Sequence, residues 1–585
     1  MTMKRFLILL LCGVLAVLPA CNVVDPSAPP TQPSATAPTE DPFRVGLTVD
    51  RSLLYGLGEP MTEVDYLSES VQLIAAIGPS SFRQWMHITA TLNDPDTPNQ
   101  AAVDQQKNII KMLKMSGVQE VIGMSHTWFL PDSCYATDGT SMPARDTTPG
   151  SEYMQALDML YRSWKTMAAT FPEITYWEVG NEPNMDAFLH PTDYVATNGS
   201  AVYTMSEKAA IATDMMYYAA KGVKEGNPDA IVVMPGLAAS DYMKNGVVAN
   251  FLQAIYDNIK SGKFGEGSTN TDDYFDVVAW HPYTSEVSTA TDEAWVAANN
   301  AAYEVVKANG DDGKKVFFTE FGFSDMGSAE VDKQCAQYFK DTFAYIEDME
   351  YVGCVIAFRL WNDTSSTWNG PVEKYFGLFY EPTDGWTPKE RAWALQEIYG
   401  GTGELDKFCI KADQFAVGDN VALGAPVSSS SSCEHPDFYP GWGRGYVVDG
   451  NRNGPGWTNY YQPGEADWVV GGGCGAPTPD HGEWLQITLP GVTYINKFIL
   501  YPRNPYDPMA MPREFYVEVS DDGVNWKTVG TYKFETHQLN QAFYEFEIEE
   551  TTARYVKFNF TMMDPMPQAG FYMVQLCEIE IIKSK

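Results

Sequence analysis

Cations and histidines are scarce in this chain, and long apolar runs are absent beyond its first twenty residues. Lys and Arg number 39 against 76 Asp and Glu, a formal net charge of −37. A function built on neutralising nucleic-acid phosphates starts with the wrong sign, so no nucleic-acid partner is expected. No later stretch reaches the roughly 18 uninterrupted apolar residues that a membrane-crossing helix needs. The seven His are scattered, without an HExxH word or a His/Cys cluster, so no cofactor is expected for catalysis. The nine Cys include no CxxC pair. Those beyond Cys12 and Cys21 are odd in number and widely spaced, and read as structural thiols with room for one bridge.

What is present supports packed cores. Hydrophobic residues make up 44% of the chain, aromatics 13% and charged residues 20%, which excludes a disordered or collagen-like polypeptide. A length of 585 residues implies two or more domains. The 15 Trp and 33 Tyr suit stacking on sugar rings and equally suit ordinary core packing.

Lys4 and Arg5 precede the apolar run Phe6–Leu11, and the segment ends in Leu18-Pro19-Ala20-Cys21. A charged start, a short apolar core and small residues at a cleavage point read as an export signal over residues 1–20. The last four residues resemble a bacterial lipobox. That resemblance implies cleavage before Cys21, lipidation of its thiol, and a protein anchored to the membrane at the bacterial cell surface; the alternative is a plain secretory signal in which Cys21 is incidental. Residues 21–42, rich in Pro, Ser, Thr and Ala, have little to bury and read as a tether.

From 43 to 403, short apolar strands alternate with amphipathic helical stretches, the pattern of a parallel sheet wrapped by helices. Eight strands are expected, at Arg44–Val49, Ser80–Met86, Glu120–His126, Tyr176–Glu182, Ala230–Gly236, Asp276–Tyr283, Lys315–Gly322 and Cys354–Trp361, with a closing helix around Glu390–Tyr399. The expectation is an α/β fold, a (β/α)8 TIM barrel of about 360 residues. Residues 404–421 read as a linker. Beyond them, alternating runs such as Trp484–Leu489, Phe515–Val519 and Tyr555–Phe560, set between Gly, Pro, Asn and Ser, predict an all-β jelly-roll sandwich over 422–585.

Two words carry the chemistry, Trp177-Glu178-Val179-Gly180-Asn181-Glu182-Pro183-Asn184 and Phe318-Thr319-Glu320-Phe321-Gly322. In each, an apolar run ends in a polar cluster containing Glu, and barrel strand ends point into the site at the carboxyl face. Glu182 after the fourth strand and Glu320 after the seventh can therefore face each other across a pocket. A facing pair of carboxylic acids is what glycosidic cleavage requires, one to protonate the leaving oxygen and one to attack the anomeric carbon or activate water. Glu178, four residues before Glu182, lies on the same strand face but deeper, as a buried structural carboxylate.

These words and their order resemble the clan A glycoside hydrolases, family 39 first and family 5 next, although Gly180 stands where family 39 often has Trp. The resemblance implies Glu182 as acid/base and Glu320 as nucleophile. It further implies Arg83 beside the nucleophile, His126 at the end of the third strand, Asn181 on the sugar 2-hydroxyl, and His281 and Tyr283 at the end of the sixth strand. Trp361 would be the aromatic floor of the sugar site. His126 and His281 could each be satisfied core histidines instead. Trp85, Trp177 and Trp280 read as packing, and Trp128, beyond a strand end, could also line the cleft.

The second half carries Val447-Val448-Asp449-Gly450-Asn451, Glu483–Ile487, Val519–Trp526, Ala553–Lys557 and Glu578-Ile579-Glu580. It resembles the discoidin-like, coagulation factor V/VIII C-type fold and its family 32 carbohydrate-binding modules. That resemblance implies a structural calcium held by Asp449 and Glu578 with backbone carbonyls completing the oxygen shell. Sugar contacts would come from loop residues such as Trp442, Arg444, Trp457 and His481, with loop packing as the alternative for each.

The expected protein is an exported retaining β-glycoside hydrolase acting on a plant- or microbe-derived polysaccharide or oligosaccharide. Its negative charge suits a neutral glycan. The alternatives are a catalytically silent surface glycan-binding lipoprotein and a transglycosylase using the same two Glu.

Overall fold

The structure is a computed structural model, and it describes residues 43–49, 55–56, 59–60, 64–134, 140–194, 201–239, 243, 246–284, 292–363, 370–380, 386–408, 414–432, 442–459, 483–503, 511–536, 541–563 and 572–585. The signal peptide, Cys21, the tether and His481 lie outside the described residues, as do Cys409, Cys433 and Cys474.

Eight parallel strands build the first domain. They are β1 (Arg44–Thr48), β2 (Ser81–Trp85), β3 (Glu120–Met124), β4 (Tyr176–Glu178), β5 (Ile231–Val233, resuming at Leu237–Ala238), β6 (Val278–His281), β7 (Val316–Phe321) and β8 (Val352–Ala357). Each pairs with its neighbour in chain order, and β1 also pairs with β8 through Arg44↔Cys354 to Leu47↔Ala357. The first part of β5 pairs with β4 and its second part with β6. Two single bridges, Asn181↔Gly236 and Val233↔Val277, carry the ladder across the interruption and close the barrel.

Helices α1 (Val64–Ile77), α2 (Gln100–Met115), α3 (Glu152–Thr170), α4 (Met205–Gly226), α5 (Val247–Lys260), α6 (Glu293–Ala308), α7 (Ala329–Ile346) and α8 (Glu390–Tyr399) cover it. Their starts are written in the sequence. Ser151 Oγ accepts from Met154 N to cap α3, Asp292 caps α6 through Trp295 N, and Thr204 with Glu207 forms a capping box for α4. Every residue of β7 and β8 is buried, as strands covered on both faces must be. The edge-on pair Trp164–Trp177, 5.8 Å between centroids, locks α3 onto β4.

The second domain is antiparallel. Its strands are β9 (Val427–Ser429), β10 (Trp457–Thr458), β11 (Glu483–Pro502), β12 (Glu514–Ser520), β13 (Lys527–Lys533), β14 (Tyr544–Met562) and β15 (Gln575–Lys583), in the order β10-β15-β11-β14-β12-β13 with β9 beside β11. β11 changes register at Thr488/Thr493 and Ile495/Lys497; its first part pairs with β9 and its second with β15. One long irregular strand thereby pairs with β9, β14 and β15 along its length. The inward residues Leu485, Ile487, Leu489, Phe498 and Leu500 of β11 join Val517, Val556 and Phe558 in one hydrophobic core.

Among the described cysteines Cys134, Cys335 and Cys577 are free thiols. Among the described residues no helix is long and apolar enough to cross a membrane.

Candidate active site

The carboxyl ends of β2, β4, β6 and β7 converge on one charged cluster. Arg83, fully buried on β2, is its hub. Its Nε donates to Glu178 Oε2 at 2.5 Å, its Nη1 to Glu320 Oε1 at 2.5 Å, and its Nη2 to Glu178 Oε1 at 3.1 Å and Asn181 Oδ1 at 2.9 Å. A planar guanidinium spreads these four bonds over three nitrogens in a fixed fork, a geometry that the single nitrogen of an ammonium cannot reproduce. Glu178 is wholly buried and accepts in addition from Gly236 N and Thr319 Oγ1. It supports the cluster from below, as its place one layer down the strand predicts.

Glu320 takes a second donor, the Tyr283 hydroxyl at 2.8 Å from Oε2. Burial alone would raise its pKa, but His281, Arg83 and the Tyr283 hydroxyl outweigh that and hold Glu320 below the ordinary carboxylate value. Glu182 goes the other way. Burial, reinforced by the charge on Glu320, raises it despite the opposing His281 and Arg83. Carboxylate oxygens of Glu182 and Glu320 and a ring nitrogen of His281 lie within 4.8 Å of one another.

His281 Nδ1 lies 2.7 Å from Glu182 Oε1, and Nε2 lies 3.0 Å from Thr319 Oγ1. Thr319 gives its only proton to Glu178 Oε1 at 2.9 Å, so its oxygen accepts from His281, and Nε2 carries a hydrogen. The contact between Nδ1 and Glu182 is then bridged by one shared proton. Burial would lower the His281 pKa, but Glu320 and Glu182 outweigh it and raise it.

The backbone around Glu182 is unusual. Glu182 itself has φ +41°, a left-handed conformation rare outside glycine. It is held there by Glu182 N donating to Gly236 O at 2.9 Å. Asn184 fixes the next turn, exchanging bonds of 2.8 and 2.9 Å with Ala238 O and N. The polar tail of the Asn181–Asn184 word therefore ties the end of β4 to β5.

His126 follows β3, half-buried, with its ring edge-on to Trp85 and His87 at 4.9 Å each and to Phe188 at 5.6 Å. Trp85 in turn lies 5.4 Å from the Arg83 guanidinium carbon. Trp361 pairs with Phe379 and meets Trp386 edge-on at 5.6 Å. The ring against Tyr283 is instead Phe358, at 6.0 Å, three residues earlier. Trp128 is buried and donates to Ser141 O at 2.8 Å, so it packs the loop.

Sequence reasoning did not single out His87, Phe358 or Thr319. Burial lowers the His87 pKa to about 4, leaving a neutral imidazole beside His126. Thr319 had a readable signal: a polar residue next to Glu320 in an otherwise apolar strand that is buried throughout must find a partner.

In the sandwich, Glu578 is buried; its Oε2 accepts from Gly450 N at 3.1 Å, while Oε1 has no protein partner among the described residues. Burial pushes its carboxyl up to about 8. Asp449 is exposed next to Gly450, and its Oδ1 accepts from Asn451 N at 2.7 Å. An orphaned carboxylate oxygen beside a second carboxylate is chemistry that fits a hard cation. Two of the expected sugar contacts are structural instead. Trp457 is fully buried, its ring on Phe560 at 5.6 Å and its Nε1 donating to Ser431 O. Arg444 is buried, bonds Ser429 Oγ and lies over the barrel's Tyr375 ring. Trp442 lies half-buried under the Arg503 guanidinium, 4.7 Å from its ring centre.

The model of the cellulase family, glycosyl hydrolase family 5, matches residues 62–363, and that of the F5/8 type C domain matches 426–574. No curated protein matches the chain. Among solved structures, a family 39 glycoside hydrolase from the gut symbiont Bacteroides cellulosilyticus WH2 aligns at 12% identity and a TM-score of 0.42, covering 89% of this chain and 81% of that one. GH5_18 from Streptomyces cattleya, in complex with GlcNAc, aligns at 16% identity and a TM-score of 0.42, covering 61% and 80%. CpGH89CBM32-5 of Clostridium perfringens, in complex with GalNAc-β-1,3-galactose, aligns at 19% identity and a TM-score of 0.21, covering 28% and 99%. The chain belongs to the cellulase family, glycosyl hydrolase family 5, and carries an F5/8 type C domain behind its barrel.

Proposed function

We propose that this protein is a retaining β-glycoside hydrolase acting on a neutral polysaccharide or oligosaccharide of plant or microbial origin. The observation that carries the reading is the opposed bias of two facing carboxyl groups, Glu320 shifted toward the ionised form and Glu182 toward the protonated form. One oxygen of each lies within 4.8 Å of one oxygen of the other, an approach that favours the roughly 5–5.5 Å carboxyl separation of retaining enzymes over the roughly 6.5–9.5 Å that leaves room for a water.

Glu320 attacks the anomeric carbon as Glu182 gives its proton to the departing glycosidic oxygen. The resulting ester neutralises Glu320, which removes the charge that had added to the effect of burial in raising Glu182. Glu182 then takes a proton from water, whose oxygen displaces Glu320 and restores it. Asn181, its carbonyl oxygen occupied by Arg83, turns its amide N–H toward the sugar 2-hydroxyl. Phe358, against Tyr283, offers an apolar face to the ring.

The same reading includes export and a lipid anchor at Cys21, which places the enzyme on the bacterial surface, and a glycan-binding role for the sandwich. It also includes a calcium ion held by Asp449 and Glu578, serving the fold rather than catalysis.

The test is hydrolysis of a panel of aryl β-glycosides and polysaccharides by wild type, Glu182→Gln and Glu320→Gln, with the anomeric product followed by NMR. The expected result is cleavage with retention, lost in both variants. A wild type that cleaves nothing returns the protein to glycan binding alone. An inverted product overturns the double displacement, and transfer to an added sugar acceptor in preference to water makes it a transglycosylase.

A further inference from the structure

The sandwich is built into the barrel at the loops that follow β7 and β8. Lys333 of α7 donates to Asp522 O, and Arg554 Nη1 lies 3.9 Å from Glu390 Oε1. A methyl group on Gly523 would lie 3.2 Å from Ala329 Cβ, and one on Gly327 would lie 3.3 Å from Ser428 Cβ and 3.2 Å from Tyr375 Cζ. Tyr380 of the barrel bonds Thr488 of the sandwich. The connection is pinned as well, with Leu405 buried in the barrel core and Val421 in the sandwich core.

One of these contacts leads to the catalytic centre. The Arg444 guanidinium lies 5.6 Å from the centre of the Tyr375 ring. Tyr375 O accepts from Asp325 N and Arg391 Nη1, at 3.3 Å each, which fixes its backbone from the barrel side. The next residue, Phe376, packs edge-on against Tyr283 at 5.6 Å and Phe358 at 5.5 Å. Tyr283 is the residue whose hydroxyl bonds Glu320 at 2.8 Å.

We propose that Arg444 and Tyr375 are positioning residues: the sandwich, through Arg444, Tyr375 and Phe376, sets the Tyr283 ring so that its hydroxyl meets Glu320. The sandwich is thus part of the catalytic unit whatever glycan it binds. The inference rests on Glu320 being the nucleophile. Glu320 is faced by Arg83 from β2, Glu182 after β4, and His281 and Tyr283 from and after β6; Glu373 also acts on Tyr283. Of these groups, Tyr283 is the one whose ring packs on Phe376.

The test uses the full chain and a soluble aryl β-glycoside, which fills the cleft without engaging a glycan-binding surface. Arg444→Met removes the cation while keeping bulk, Tyr375→Leu removes the ring, and Tyr375→Phe keeps it. Arg444→Met and Tyr375→Leu should lose about tenfold in kcat/KM, with the acidic limb of the pH profile moved upward as Glu320 loses its donor. Tyr375→Phe should match wild type. Wild-type rates and an unmoved acidic limb in folded Arg444→Met and Tyr375→Leu overturn the inference while leaving the hydrolase intact. So does a loss that tracks the unfolded fraction in thermal melts with the limb unmoved. A wild type without activity on any aryl β-glycoside overturns the hydrolase reading, and this inference with it.

Discussion

His281 Nδ1 sits 2.7 Å from Glu182 Oε1 while its other ring nitrogen is committed to Thr319. The imidazole therefore shares one proton with the acid and cannot turn away, because Thr319 is itself fixed by Glu178. Thr319→Val keeps the shape and deletes the hydroxyl. It leaves His281 Nε2 and Glu178 Oε1 each short of a buried partner, and kcat/KM should fall about tenfold. Steady-state kinetics with an aryl glycoside checks it; a wild-type value means that the tautomer does not matter.

The pH profile of kcat/KM should be a bell. Glu320 must be ionised, and its pKa is lowered, so activity should be lost only as pH falls below the ordinary carboxylate range. Glu182 must be protonated, and its pKa is raised, so the alkaline limb should lie above that range. Tyr283→Phe removes a donor that favours ionised Glu320, and should move the acidic limb upward without moving the alkaline one. Rate measurements across pH distinguish this from a uniform loss.

Arg83→Lys keeps the charge and loses the fork. Its four bonds reach Glu178, Glu320 and Asn181 from two different sides. A lysine has three donors on one nitrogen, which cannot reach all of these acceptors at once, leaving buried carboxylate oxygens unpaired, which should cost about 3 kcal/mol of stability and about a hundredfold in kcat. Denaturant melts and kinetics measure both; an unchanged melt with intact activity contradicts the hub role.

The clustering of the candidate site was readable because its members stand at or near strand ends. Glu182, Glu320, Arg83, His281 and Tyr283 each stand where an apolar β run gives way to polar residues, and barrel geometry sends such positions to one face. Phe358 was missed for the converse reason. β8 stops at Ala357, but the next residue, Phe358, is apolar, and apolar residues resume past Arg359 at Leu360 and Trp361, so the sequence does not mark the stop there. In the sequence Arg444 and Trp457 read as loop residues. The barrel's Tyr375 lies against one and Phe560 of the sandwich core against the other, and such long-range burial leaves no local periodicity.

Calcium should raise the melting temperature of the sandwich, and EDTA should lower it. Glu578→Gln should abolish that difference, since a neutral amide is a weak replacement for the buried carboxylate whose Oε1 lacks a protein partner. Melts with and without calcium decide it, and a melting temperature indifferent to EDTA removes the ion from the account.

Gly236 stands in the interruption of β5. Its N donates to Glu178, its O accepts from Glu182 N, and a methyl group in place of its hydrogen would fall 2.1 Å from His281 Nε2 and 2.6 Å from Thr319 Oγ1. The smallest possible mutation at this position would strike the imidazole, the threonine and the backbone of the acid together. In a saturation-mutagenesis selection for activity, position 236 should therefore be as depleted as the two glutamates. An engineer seeking new substrates in this barrel should keep this chemically silent residue out of the library.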